Sequence, residues 1–185
     1  PVVEFAIMPF LLVLVLAAGV GLPDPLILEA AREATAVEVE FRLTAELPEE
    51  LTAALSAGAE VRMTYPLRVK AKRRNLLDKR VWSGELVTIT AFDPVTGRYR
   101  CQVVLDGIIT STGEADSPEA ALAWLTDPPE VRVELPEARR RAILKVRVRA
   151  IFSSGTTWLI FPTQDATPWV EISLDPLPDP IADAT

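Results

Sequence analysis

The chain has 185 residues and a formal net charge of -7, from 19 Lys and Arg against 26 Asp and Glu, with one cysteine and no histidine. An acidic balance argues against nucleic acid as a main partner. The missing histidine removes Ser-His-Asp and Cys-His catalysis, histidine general bases and most zinc and copper sites, which leaves chemistry run by carboxylates, Lys or Tyr.

Residues 5–22 carry no charge, and the centre of the run is Leu, Val and Ala throughout. If Met8 starts translation, the apolar core of about a dozen residues has the length of a signal-peptide h-region, and Ala17, Ala18, Gly19 and Gly21 supply small residues for cleavage. A start further upstream instead gives a run near the minimum for a transmembrane anchor. A buried helix is the third alternative. Either of the first two predicts a periplasmic domain, free or anchored to the inner membrane. The expected division is a leader over 1–22, a helical spacer over 23–35, a β-domain over 36–174 and a Pro-rich tail over 175–185. Roughly 160 residues after the leader suffice for one self-supporting core. Cys101 cannot close an internal disulfide and shares strand parity with Tyr99, Val103 and Leu105, so a buried thiol is expected.

In the spacer, Asp24 and Pro25 read as an N-cap and first helical residue, followed by Leu26, Ile27, Ala30 and Ala31. Val37, Val39, Phe41 and Leu43 then alternate with Glu38, Glu40 and Arg42 as a half-buried strand. Leu47, Leu51, Ala54 and Leu55 recur at helical spacing, with Glu49 and Glu50 in the first turn and Gly58 as the C-cap glycine. From Val61 the alternation returns through Met63, Tyr65, Leu67, Val69 and Ala71, and Pro66 predicts an edge, bulge or break there. Strands over 85–92, 98–105 and 108–112 form a meander around a turn at residues 93–97 and the two-residue Asp106-Gly107 hairpin. Ser117 caps a short helix through Leu125, with Pro118 at its first position. Strands over 131–135, 144–152 and 169–174 complete a mainly β, antiparallel sandwich, immunoglobulin-like or similar, with two short helices and an N-terminal apolar helix.

Phe41, Arg42 and Leu43, the helix leading into Val61 and Tyr65, the basic segment around Arg73 and Arg74 with Asp78, the strand at Tyr99 and Arg100, the Ser117 helix and the closing Thr167, Pro168 and Trp169 together resemble the bacterial family known as domain of unknown function 4390. The resemblance runs from about Val37 to Leu174. Asn75, Leu76 and Leu77 stand where relatives carry aromatics. The resemblance implies an envelope location and supplies no activity.

The only chemical concentration is basic. Arg68, Lys70, Lys72, Arg73 and Arg74 fall in one stretch and Lys145, Arg147 and Arg149 in another, alternating with apolar residues where they lie on strands, so each stretch predicts a cationic stripe facing solvent. Strands in one sheet would merge the stripes into a surface for anionic lipid or glycolipid, or for an envelope protein. The competing explanation is edge protection by Lys and Arg, with Glu38 and Glu40 as cross-strand partners. Arg139, Arg140 and Arg141 add to the second stretch. Asp78, Asp93, Asp106, Glu114, Asp116 and Asp165 are the carboxylates near turns, and nothing in the sequence brings two together as a catalytic pair. Ser153, Ser154 and Gly155 read as a turn. No metal spacing or cofactor fingerprint occurs. The expected function is therefore a non-catalytic interaction or scaffold module of the envelope. An anchored lipid carrier with an apolar cleft between its sheets is the alternative, and a carboxylate-dependent hydrolase the second.

Overall fold

The structure, a computed structural model, describes residues 24–33, 35–74, 76–136, 142–153 and 165–177. The expected leader, Arg139, Arg140 and Arg141, Ser154, Gly155 and the chain beyond 177 lie outside the described residues. Among the described residues no helix is long and apolar enough to cross a membrane.

In chain order the elements are β1 (Leu26–Arg32), β2 (Ala36–Leu43), α1 (Glu49–Ser56), β3 (Val61–Ala71), β4 (Lys79–Asp93), β5 (Arg98–Leu105), β6 (Ile108–Ala115), α2 (Pro118–Thr126), β7 (Val131–Glu134), β8 (Leu144–Val148), β9 (Ile151–Ser153), β10 (Asp165–Ala166) and β11 (Val170–Leu174). Two antiparallel sheets result. The smaller has the order β1-β2-β7; the larger has eight strands, running β10-β9-β3-β4-β5-β6, with β8 joining β3 to β11.

Alternation explains the layering. Val37, Val39 and Phe41 of the smaller sheet and Met63, Tyr65, Leu67 and Val69 of the larger are all buried and belong to one core. Phe41 and Tyr65 meet across the sheets with ring centroids 4.9 Å apart. Each such side chain contributes roughly 1.5–3 kcal/mol by leaving water. The Tyr65 hydroxyl donates to the Leu125 carbonyl at 2.6 Å, and the Thr88 hydroxyl donates to the same carbonyl at 3.2 Å, which ties the end of α2 to the large sheet.

The helices start and stop where their residue types dictate. Ser117 accepts the Ala120 N–H at 3.2 Å, with Pro118 opening α2. The last turn of α1 closes through Gly58, whose N–H donates to Leu55 O while Ala59 N–H donates to Ala54 O. This closure needs a left-handed residue, and Gly58 has φ +81°. Asp106 and Gly107 both take positive φ, as the two-residue hairpin requires.

Two expectations are corrected. The helical spacer over 23–35 is strand β1, paired with β2 from Leu26 opposite Leu43 to Arg32 opposite Val37. Leu26, Leu28 and Ala30 turn inward, and Leu26 is fully buried. The helical spacing of its apolar residues contains this alternation as well, and the available β2 edge outweighs an Ala-based helix preference of a fraction of a kcal/mol per residue. Pro66 lies not at an edge but in the middle of β3, which pairs β4 without interruption there. The break falls on the other neighbour: β8 ends at Val148 opposite Leu67, and β9 resumes at Ile151 opposite Thr64. Beside this gap Ala150 turns to Thr167, donating its N–H to Thr167 Oγ1 at 3.0 Å and accepting the Thr167 N–H at 2.9 Å.

Candidate functional site

The two basic stripes are neighbours. In the β3–β8 ladder Arg68 lies opposite Arg147 and Lys70 opposite Lys145, so the outward residues of the two strands form one cationic face. Strand β11 extends it, with Glu171 opposite Arg147 and Ser173 opposite Lys145. Like charges directly across a ladder destabilise a sheet unless something answers them. Glu171 answers part: its carboxylate lies 3.0 Å from Lys145 Nζ and 3.2 Å from Arg147 Nε, and Asp78 lies 3.5 Å from Lys145. The hydrogen bond that Lys145 donates to Glu171, then the charges of Glu171 and Asp78, hold the Lys145 ammonium above its ordinary pKa.

Trp169, just before β11, gathers the rest. The guanidinium carbons of Arg68, Arg149 and Arg147 lie 4.5, 4.9 and 5.2 Å from its ring centroid. An indole face attracts a cation by about 0.5–1 kcal/mol at exposed sites. Every pair of these guanidiniums lies within about twice 5.2 Å, so the repulsion of each pair is at least roughly 1.5 kcal/mol at an effective dielectric of about 20. The ring therefore positions the three cations without cancelling their charge. Arg149 Nε is buried with no hydrogen-bond partner among the described residues.

The expected set of eight thus divides by place. Arg68, Lys70, Lys145, Arg147 and Arg149 lie on or beside the paired strands, whereas Lys72, Arg73 and Arg74 follow β3 in the exposed connection to β4. Lys72 fixes the base of that connection, its N–H donating to Ile143 O at 2.9 Å. Glu38 and Glu40 do not serve as partners for the basic strands, because both lie on the smaller sheet. Glu38 pairs instead with Arg132, which also holds Glu33 and Glu134, at 2.8, 2.7 and 3.1 Å. Glu29, Glu38, Glu40 and Glu130 line a shallow groove of about 170 Å³ on that sheet's outer side. Partial burial, followed by the charges of Glu33 and Glu130, raises the Glu38 pKa. Among the described residues no cluster of three or more Cys, Asp or Glu could hold a metal ion.

The turn carboxylates have local roles. Asp93 accepts the Val95 N–H at 2.9 Å, Asp106 accepts the Glu85 N–H at 2.8 Å, and Glu114 and Asp116 both pair with Arg98 at 3.0 Å. The Asp165 side chain lies outside the described set. A surface groove of about 330 Å³, lined by Ser111, Ala123, Trp124, Asp127 and Pro129, lies beside α2. Cys101 is buried, and burial pushes its thiol up to about 11. The outer face also has apolar ground away from the cations, where Val87, Val104 and Ile109 stand in one cross-strand row.

Trp169 and Glu171 were not identifiable as site residues from sequence. Their alternation with Val170 and Ile172 is visible, but only the β8–β11 register puts them against the arginines. No curated protein and no solved structure matches the chain. A family model matches residues 27–156, most of the two-sheet domain, and by that match the chain belongs to the family described as Domain of unknown function (DUF4390).

Proposed function

We propose that this protein is a non-catalytic binding module of the bacterial cell envelope, exported by its N-terminal apolar segment, which engages an anionic partner through the outer face of β3 and β8. The observation that carries this reading is the pairing of Arg68 with Arg147 and Lys70 with Lys145 across one ladder. Such an arrangement costs stability in the free protein and is offset when an anionic surface lies against it. Near such a surface each cation contributes about 1 kcal/mol. An acidic chain is compatible with an anion-binding role because most of its carboxylates lie away from the β3–β8 ladder, in helices, connections and the smaller sheet.

Retention on vesicles containing an anionic phospholipid tests the reading. The wild type is expected to bind at low salt and to be released as ionic strength rises, since exposed charges are screened over about 10 Å at 0.1 M. Combined Lys70→Gln, Lys72→Gln and Arg147→Gln abolishes retention with the Tm shifted by only a few degrees. Unchanged binding by this variant sinks the proposal. A topology reporter fused after Leu174 tests the location, and recovery of the domain in the cytosol would contradict export.

A further inference from the structure

The connection between β3 and β4 joins two features usually kept apart. Leu76 and Leu77 are 68% and 93% exposed, flanked by Lys72, Arg73 and Arg74 on one side and Lys79 and Arg80 on the other. Single exposed apolar residues are ordinary, but two adjacent leucines in a connection between long strands, surrounded by cations, are not explained by packing or by edge protection. The one acid of the connection, Asp78, is engaged by Lys145 at 3.5 Å, leaving an apolar and cationic surface.

We infer that Leu76 and Leu77 enter the headgroup and acyl boundary of an anionic lipid bilayer, with Arg73, Arg74, Lys79 and Arg80 on the lipid phosphates. The inference rests on the anionic-partner reading above and commits it to one partner. Charge complementarity selects an anionic surface, and the leucines select lipid: a soluble saccharide or an acidic protein loop offers no apolar layer to two leading leucines, whereas a bilayer offers one directly beneath its phosphates.

This contact also fixes an orientation. The connection continues from the end of the sheet that carries Lys70 and Lys145. Arg149 and Trp169 lie at the opposite end of β8, about 13 Å further away at 3.3 Å per residue. That exceeds the screening length at 0.1 M salt. The domain therefore meets the bilayer end-on through the connection, and cations weaken in effect with distance from it.

Co-sedimentation of the full chain with phosphatidylcholine vesicles containing phosphatidylglycerol tests the inference. Leu76→Ser with Leu77→Ser is expected to weaken binding at least about tenfold and to make the remainder fully salt-releasable. Arg73→Gln with Arg74→Gln is expected to cost more than Arg68→Gln with Arg149→Gln. Leu77→Trp is expected to add blue-shifted fluorescence quenched by brominated acyl chains. All of these positions but Arg149 are exposed, and an unchanged Tm checks that each variant folds. If the wild type is retained while the double serine variant binds equally well and the new tryptophan stays unquenched, insertion is wrong and the cationic-face reading survives. No retention of the wild type overturns both.

Discussion

The outer faces of the two sheets are electrostatic opposites built on the same plan. On the smaller sheet one cation, Arg132, is shared by Glu33, Glu38 and Glu134; on the larger, one carboxylate, Glu171, is shared by Lys145 and Arg147. In each network a single counter-charge holds groups of the opposite sign from neighbouring segments. Net charge is thus a poor guide to what such a protein binds. The total of -7 conceals a cationic patch whose residues only the sheet order brings together.

The opposition depends on the core that holds the sheets together. Phe41→Ala removes the ring packed on Tyr65 and is expected to cost about 3–5 kcal/mol in denaturant unfolding, with vesicle retention lost as the sheets separate. Glu171→Gln tests the shared carboxylate: with Arg147 unanswered and Lys145 left to Asp78 alone, affinity for anionic vesicles should rise about fivefold while Tm falls, and an unchanged affinity would show that Glu171 does not limit the face. Ser117→Ala is the control outside both faces. Loss of the Ala120 hydrogen bond should cost about 1 kcal/mol and leave vesicle binding unaltered.

Acid titration sharpens the contrast from the other side. The Glu38 pKa is raised, so its favourable contribution is complete below the ordinary carboxylate range and is lost as pH rises through the raised value. Arg132→Gln removes the cation that offsets this cost. Its Tm deficit should therefore be largest at neutral pH and shrink on acidification, and a pH-independent deficit would argue that the network does not matter to the acidic face. The smallest effect belongs to Cys101. With the thiol pushed up to about 11, it should resist thiol reagents at pH 8 until the protein unfolds, and stability should decline between about pH 9 and 11 as only the unfolded chain can ionise freely.

Much of the frame was legible in local pattern. Alternation identified β2, β3 and β5 and their inward faces, the Asp106-Gly107 pair identified the hairpin, and Ser117 and Gly58 marked helix ends, because in each case residue type alone favours one backbone state. What failed depended on which strand lies beside which, whether the partner is near in the chain or far along it. Residues 26–32 satisfy helical and strand spacing together, and the β2 edge decides between them. Pro66 could sit in a central strand because its neighbour is interrupted beside it, with Thr167 supplying the missing bonds. Trp169 and Glu171 look like any exposed strand residues until β11 is placed against β8. The cationic face was half legible: the two stripes could be read from alternation, but their adjacency could not, and Glu38 was assigned to the wrong sheet for the same reason.

The position of β3 also bears on when the cationic face comes into being. Its pairing with β4 closes through a short connection, whereas its pairing with β8 must wait for a segment far along the chain, after β5, β6, α2 and β7 have been made. Closing so large a loop is the slow kind of contact, and during synthesis β8 emerges last of the two. Arg68 and Arg147 therefore stand side by side only when the sheet is finished. A partner that needs both is bound by the completed fold and ignores a chain still in progress.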